Sequence, residues 1–279
     1  MAPTIPFAAR PLHPLDRPAA IAVAAAAGAH GAYVHNHLAG AADLEETAEV
    51  VLLHGSDRLV GLLWFGARGN LVVIEAAALE PAAVARAVAE TGLGWRIVLG
   101  PFPVVRALAA LERAAPLVLR EQVYCGMAPE QARAAKAQAG IRLAEPADLA
   151  VLVAASLQLN QEDLRVDPRR VNRGWLRESI ARRIERGTTW VLGPRGDPLT
   201  KLDVGSEGPG GMVLEGVFTQ PKARGQGLAS GLVASVAARV RGQVALVCLH
   251  VASDNQPALA AYRGAGMLEL ERCGLLLRG

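Results

Sequence analysis

Two glycines in the second half of the chain leave the backbone bare at a point where an anion can bind. The stretch "VFTQPKARGQGLAS" runs from a β-prone into a helix-prone segment, with Gly225 and Gly227 at the junction. A strand that leads through a glycine loop into a helix presents unpaired N–H groups at the positive end of the helix dipole. Bare glycines let a phosphate reach these amides, and Lys222 and Arg224 add positive charge. The segment therefore predicts a pyrophosphate site.

Two common nucleotide-binding motifs do not fit this loop. No GK[ST] follows the glycines, so it is not a Walker A sequence, and the third glycine of GxGxxG would have to stand at Ser230. Glycines after a strand can also merely close a turn, and this structural alternative stays open for Gly225 and Gly227.

The loop resembles the signature of the GNAT superfamily of acyl-coenzyme A dependent N-acyltransferases, Q/R-x-x-G-x-G/A after a strand. Here the signature reads "RGQGLA", from Arg224 to Ala229. A second block, "VASDNQPALAAYRGAGM", follows the family pattern N-x-x-A-x-x-x-Y-x-x-x-G-F, except that Met267 replaces the phenylalanine. The resemblance covers about Ile141 to Arg278, and two motifs at proper spacing are far more specific than one.

The resemblance implies acetyl-CoA as co-substrate and assigns its contacts to three places. The pantetheine arm would pair with the backbone of the family's fourth strand, the pyrophosphate would lie on the loop, and the second motif would supply further contacts. The coenzyme-binding residues so implied are Val217, Phe218, Thr219, Lys222, Arg224, Gly225, Gln226, Gly227, Leu228, Ala229, Asn255 and Ala258. Asn255 has a structural alternative, because it can equally be an ordinary helix cap.

Acyl transfer to an amine needs one base for the amine proton and one acid for the departing thiolate. The resemblance implies Glu215 in "LEGVFT" as the base, directly or through water, and Tyr262 as the acid. A backbone N–H of the same strand would meet the tetrahedral oxyanion. Tyr262 can instead be a core aromatic, and Glu215 can simply hold a water or a neighbouring arginine.

The sequence indicates the residues that would bind the acceptor amine less specifically than those that would bind the coenzyme. In this superfamily the loop between the first two helices shapes the acceptor pocket, and "NQEDLR" places Glu162 and Asp163 there. These carboxylates would favour a cationic amine, although a plain helix end explains them equally well. The acceptor implied is a small-molecule or peptide amine.

The helices and strands that must position these residues occur in a similar order in both halves of the chain. The first half begins with one helix over residues 19–38, and the second begins with a short strand in "IRLAEP" and two helices. Each half then continues with three strands, a helix, a strand and a helix, and it ends in a closing strand in the first half and in closing strands in the second. This order predicts a diverged duplication, with domains at residues 1–139 and 140–279 and a linker helix in "EQARAAKAQAG". The expected fold class is mixed α/β (α+β): tandem GNAT-like folds, each a mostly antiparallel sheet with splayed central strands and flanking helices.

The first half lacks the features that would bind the coenzyme. Its corresponding junction, "ALEPAAVARAVAE", has no glycine and places Glu80 at the helix N-terminus, where a carboxylate would occupy the dipole. Its second helix, "PVVRALAALERA", has no tyrosine. We therefore expect a degenerate GNAT-like domain with a scaffolding role. The alternative is an unrelated α/β domain.

Composition limits the remaining classes. A net charge of +3 and the absence of a basic stripe with interleaved aromatics argue against nucleic-acid binding. The three cysteines form no CxxC pair, no cluster completes a metal site around His35 and His37, and no apolar run is long enough for a membrane. We therefore predict no metal, no membrane partner, a cytoplasmic monomer or homodimer, and an N-acetyltransferase. The alternative is a non-catalytic acyl-CoA-binding or protein-interaction module.

Overall fold

A computed structural model describes residues 5–40, 49–67, 69–132 and 140–279 of the chain. It divides into two compact units that are not continuous in sequence. The first comprises Met1–Tyr124, Ser206–Gly211 and Leu270–Gly279, and the second comprises Cys125–Gly205 and Met212–Glu269. The predicted boundary between residues 139 and 140 lies at the end of segment 133–139, outside the described residues, and stays a prediction, as does most of the linker helix.

The first unit is a sheet flanked by helices. The helices are α1 (Arg17–Ala26), α2 (Gly28–Leu38), α3 (Pro81–Glu90) and α4 (Phe102–Leu111). The strands are β1 (Ala8–Pro11), β2 (Glu49–His54), β3 (Leu59–Phe65), β4 (Asn70–Glu75), β5 (Ile97–Gly100) and β6 (Val118–Met127), of which the residues up to Tyr124 belong to this unit. β1 to β4 pair antiparallel in sequence order, and β4 pairs parallel with β5.

Both faces of this sheet are buried, which explains why its strands are apolar without alternation. Leu52 and Val72 face a core that includes Ala20 of α1 and Val34 of α2. The neighbouring residues Leu53 and Val73 point to the opposite face, where the core includes Val84 of α3 and Val105 of α4. Successive strand residues point to opposite faces, so one continuous apolar run supplies two cores.

The second unit repeats the element order of the first. Its helices are α5 (Leu149–Leu164), α6 (Arg173–Glu185), α7 (Leu228–Arg239) and α8 (Gln256–Ala265). Its strands are β7 (Ile141–Leu143), β8 (Thr189–Leu192), β9 (Thr200–Gly208), β10 (Gly211–Thr219) and β11 (Val247–Ala252). The chain then ends in β12 (Leu268–Leu277), of which the residues from Leu270 onward belong to the first unit. Neighbouring strands in the sheet run β7-β8-β9-β10-β11, with β10 and β11 parallel. The predicted mixed fold with a mostly antiparallel sheet is therefore confirmed.

Three local features differ from the sequence-based expectation. The single helix predicted over residues 19–38 is two helices, because Gly28 adopts a left-handed φ of 57° between α1 and α2. A short strand, β1, precedes them. The closing segment of the chain is one strand, β12, whose residues Gly274 to Leu277 pair antiparallel with β5 and belong to the first unit.

A buried carboxylate fixes the start of the second unit. Arg142 donates to both oxygens of Asp148 at 2.6 and 2.9 Å, and the backbone N–H groups of Glu145 and Gly196 each donate to it at 2.8 Å. Burial alone would raise the pKa of Asp148, but these hydrogen bonds outweigh it and lower the pKa to about 2. Asp148 thus joins β7, the start of α5 and the loop before β9.

Candidate active site

The glycine loop opens α7 in the geometry that the sequence predicts. Gly225 and Gly227 have left-handed φ values of 76° and 73°, and α7 begins at Leu228. A Cβ built on either glycine would meet no described atom within 4 Å. In the first turn of a helix the N–H groups have no intrahelical acceptor, so those of Leu228 and Ala229 are available at the positive end of the dipole. The arrangement can receive an anion.

The two cations of the loop are engaged in exposed ion pairs. Lys222 lies 2.9 Å from a carboxylate oxygen of Asp197. Arg224 donates to Glu162 at 2.8 Å and to the carbonyl of Thr219 at 3.1 Å. Exposed pairs of this kind are weak, with a median of about 0–1 kcal/mol, so an arriving anion can compete for both cations.

The strand before the loop separates from its parallel neighbour. Among the described residues, the pairing of β10 with β11 comprises Met212 with Val247 and Val213 with Cys248. Three residues further along β10, Gly216 adopts a left-handed φ of 57°. Such a residue interrupts regular strand geometry, as a β-bulge does. The part of β10 beyond this point is therefore free to bind something other than β11.

The three predicted backbone contacts lie in this part of β10. Val217 and Thr219 are half-buried, whereas Phe218 points into the core. The hydroxyl of Thr200 on β9 donates to the Phe218 carbonyl at 2.8 Å, so the hydroxyl of Thr219 donates to Thr200 at 2.9 Å. These bonds fix the strand on the β9 side. Gln226, the remaining loop residue, is exposed.

Glu215 is half-buried and held between an arginine and a glycine. Its carboxylate lies 3.6 Å from the guanidinium of Arg183 on α6. A Cβ on Gly205 of β9 would stand 2.4 Å from the carboxyl carbon of Glu215, so the side chain lies directly over this glycine. The neighbouring-arginine alternative for Glu215 is thus present in the structure, and its catalytic role stays a prediction.

Tyr262 is buried in α8, with 6% of its surface exposed. Burial raises the pKa of its phenol, and the nearby Cys125 and Asp163 raise it further. The phenol therefore keeps its proton at neutral pH, as a general acid must. Asp163 is thus linked to Tyr262 only by its effect on this pKa, whereas Glu162 at the end of α5 is bound to Arg224 and to Gln158.

Asn255 is the N-cap of α8. Its side-chain oxygen accepts a hydrogen bond from the backbone N–H of Ala258 at 3.2 Å. The capping alternative is therefore realised, and the Ala258 N–H already has a partner. Contacts of both residues with a coenzyme stay predictions.

Sequence reasoning missed a charged network behind Glu215. Lys201 and Asp203 of β9 are 5% and 4% exposed, and Asp203 also binds Arg183. The signal was two charged residues at alternate positions of the otherwise apolar "LTKLDVG", which places both on one face of the strand.

The corresponding places in the first unit differ in two respects. Glu80 caps α3, and its carboxylate accepts from the backbone N–H groups of Ala82 and Ala83. A Cβ on Gly100 of β5 would stand 2.9 Å from the Cβ of Val73 on β4, so these two strands stay close one residue beyond the pair of Val72 with Leu99. A carboxylate occupies the helix N-terminus here, and the strands do not part as β10 and β11 do.

The described residues offer neither a metal-binding cluster nor a membrane-spanning helix. Within residues 5–40, 49–67, 69–132 and 140–279, no group of three or more His, Cys, Asp or Glu side chains is placed to hold a metal ion. In the same part of the chain, no helix has both the length and the apolar character needed to cross a membrane.

Comparison with known proteins finds a similarity in the second half of the chain. Residues 163–267 match the model of the acetyltransferase (GNAT) family. This segment contains the glycine loop, Glu215 and Tyr262, and it is similar to a GNAT acetyltransferase domain. No functionally curated protein matches the sequence.

Solved structures show that the similarity of fold extends over the whole chain. A GCN5-related N-acetyltransferase from Sphaerobacter thermophilus is 19% identical with a TM-score of 0.59, covering 98% of this chain and 96% of that one. A Drosophila protein is 12% identical with a TM-score of 0.65, covering 98% and 99%. A tandem GNAT protein from the clavulanic acid biosynthesis pathway is 15% identical with a TM-score of 0.50, covering 97% and 98%. The predicted tandem GNAT-like architecture is confirmed.

Proposed function

We propose that the protein is an N-acyltransferase that moves an acetyl or short acyl group from coenzyme A directly to a primary amine. One observation carries the proposal. A helix N-terminus opened by two left-handed glycines follows the strand that parts from its parallel neighbour. A ligand that combines a pyrophosphate with an extended, amide-bearing arm fits this pair of features.

Each part of the site has a defined task in binding. The N–H groups from Gly225 to Ala229 would donate to the pyrophosphate, where the dipole of α7 favours negative charge. The free backbone edge of β10 at Val217 and Thr219 would pair with the amides of the pantetheine arm. The thioester would then lie between β10 and Tyr262, beside the carboxylate of Glu215.

The chemistry requires two proton transfers, and the chain offers a residue for each. Glu215 would accept the amine proton, directly or through a water, as the nitrogen attacks the thioester carbonyl carbon. A β10 backbone N–H would donate to the resulting oxyanion. As the carbon–sulfur bond breaks, Tyr262 would give its phenolic proton to the departing sulfur. Burial keeps the phenol protonated, so the proton is present when the thiolate forms, whereas the raised pKa itself makes the phenol a weaker acid.

The acceptor is proposed as a small-molecule or peptide amine. Asp163 would attract its ammonium group, since the carboxylate interacts electrostatically with Tyr262 and therefore lies near the reaction centre. Glu162 would contribute only after exchanging its present partner Arg224.

The first half is proposed as a GNAT-like scaffold without a coenzyme site, with evolutionary domains at residues 1–139 and 140–279. The carboxylate of Glu80 supports this, because it already satisfies the N–H groups that a phosphate would need. The close approach of Gly100 to Val73 supports it too, because no gap separates β4 from β5 there.

Thiol release tests the proposed activity. The full chain is incubated with acetyl-CoA and a panel of primary amines and peptides, and free coenzyme A and acetylated product are both quantified. We expect the two to appear together in equal amounts. Tight acetyl-CoA binding without any acetylated product, from the panel or from a metabolite extract, would instead indicate a non-catalytic acyl-CoA-binding module.

A further inference from the structure

Behind the candidate base lies a buried cluster of charges that the proposed reaction does not use. Asp203 accepts hydrogen bonds from Lys201 at 2.7 Å and from Thr189 at 2.7 Å, and it forms an ion pair with Arg183 at 2.9 Å. Burial alone would raise the pKa of Asp203, but Lys201 and Arg183 outweigh it and lower the pKa. Both carboxylate oxygens are thus engaged, and Asp203 is fixed as an anion.

The cluster leaves one positive charge in excess. Lys201 and Arg183 carry two positive charges, and Asp203 carries one negative charge. The Arg183 side chain is 32% exposed, so this excess charge is only partly desolvated, and a nearby anion lowers its remaining cost. The Glu215 carboxylate, 3.6 Å from Arg183, is that anion.

The contacts of Arg183 also fix the orientation of its guanidinium group. One terminal nitrogen lies 2.9 Å from Asp203, and the other is the atom nearest to Glu215. A guanidinium is planar and rigid, so fixing one of its nitrogens on a locked partner restricts where the other points. Asp203 therefore fixes the orientation of Arg183, and Arg183 in turn restricts the position of the Glu215 carboxylate.

Gly205 also restricts the position of the Glu215 carboxylate, which lies directly over it. A Cβ at this position would lie 2.4 Å from the carboxyl carbon of Glu215 and 2.5 Å from one of its oxygens. Any side chain on Gly205 must therefore displace the carboxylate. Gly205 has no left-handed φ, so the backbone does not itself require a glycine here.

We propose that Arg183 and Gly205 are positioning residues that form a seat for the Glu215 carboxylate, with Asp203 as the anchor of Arg183. The inference rests on the proposed function, in which Glu215 is the base. It assigns to the seat the orientation of that base toward the acceptor amine, and it predicts that the residues act only through Glu215.

Gly205→Ala is the sharpest test, because it removes no charge and no hydrogen bond. The displaced atoms are the end of a flexible side chain, so the fold tolerates the methyl group. We expect kcat to fall about tenfold or more, as for a misplaced catalytic group, while the acetyl-CoA Kd stays within about twofold. Gly174→Ala on α6, whose nearest heavy atom would be 3.4 Å away, is the matched control and should leave both constants unchanged.

A double-variant cycle separates positioning from a structural role. In the Glu215→Gln background, Gly205→Ala should cause no further loss, since the group it misplaces is already inactive. A further tenfold loss in that background overturns the proposal.

The pH profile tests Arg183. The charged groups near Glu215 include Arg183 on α6, which pairs with it, and Lys201 and Asp203 on β9, of which Asp203 pairs with Arg183. Arg183→Gln removes a nearby positive charge, so the acid limb of kcat/KM should move up by about one pH unit. Arg183→Lys should largely restore it. Arg195→Gln, which removes the exposed pair with Glu145, should leave the limb in place. An acid limb that stays in place in Arg183→Gln contradicts the seat.

Failure of the seat and failure of the proposed function give different results. A wild-type chain that binds acetyl-CoA but acetylates nothing contradicts the function. In that case crystal structures of the wild type and of Gly205→Ala test the positioning proposal. The Glu215 carboxylate should lie over Gly205 in the wild-type structure and should be displaced in the variant. A carboxylate that has not moved in the variant overturns the proposal.

Discussion

Placing a negative charge at Gly227 tests the anion site directly. Gly227→Asp and Gly227→Asn add side chains of nearly equal size, and neither meets a described atom within 4 Å of the new Cβ. Both residues must adopt the left-handed φ of 73°, which asparagine and aspartate tolerate best among non-glycine residues. The two variants therefore carry similar strain, and the difference in their coenzyme affinity isolates the charge.

Coulomb's law gives the expected size of that difference. Two unit negative charges roughly 6 Å apart repel by about 0.7 kcal/mol at a dielectric constant of 80 and by about 2.8 kcal/mol at 20. The corresponding loss of affinity runs from about threefold to about a hundredfold, and we expect about tenfold. Isothermal titration of coenzyme A into each variant measures it. Added salt should reduce the difference.

Gly242 provides the matched control for strain. It lies in the same unit with a φ of 70°, and a Cβ there would also meet no described atom within 4 Å. Gly242→Asp and Gly242→Asn should bind coenzyme A as the wild type does. A folded Gly227→Asp with wild-type affinity would falsify the assignment of the pyrophosphate to this loop.

Three further predictions concern chemistry and stability. Tyr262→Phe should keep acetyl-CoA affinity while kcat, measured by steady-state thiol release, falls about 10²-fold. Full activity of this variant would show that Tyr262 only packs in the core. Asp148→Asn should lower the free energy of unfolding by about 2 kcal/mol at pH 7, since the pKa of Asp148 is about 2 in the folded state. That lowered pKa stabilises the fold above about pH 4, so the difference in urea unfolding should shrink between about pH 4 and pH 2, and a constant difference argues against the Arg142 pair. Burial raises the pKa of Glu75 to about 7, so its contribution to stability is present at low pH and lost as the pH rises through 7; Glu75→Gln should raise the melting temperature at pH 8 but not at pH 4.

The glycine loop could be predicted from sequence because its geometry is local. Gly225, Gly227 and the start of α7 lie within a few consecutive residues, and their spacing alone fixes the strand–loop–helix junction. The cap formed by Glu80 was predictable for the same reason, since its partners follow within three residues.

Features that depend on distant residues escaped prediction. Arg183, Asp203 and Glu215 come from a helix and two strands, and no spacing in the chain records that they meet. The pair of Arg224 with Glu162 likewise joins the loop before α7 to α5. The pairing of β12 with β5 brings the end of the chain into the first unit, so halving the sequence cannot reproduce the two compact units.

A crystal structure of the full chain with bound acetyl-CoA would show directly whether the glycine loop is the coenzyme site. We predict one coenzyme per chain, with its pyrophosphate on the N–H groups of Gly225 to Ala229 and its thioester between β10 and Tyr262. A coenzyme bound at Leu79 to Val84 of the first unit, or one whose pyrophosphate lies away from the glycine loop, would contradict it.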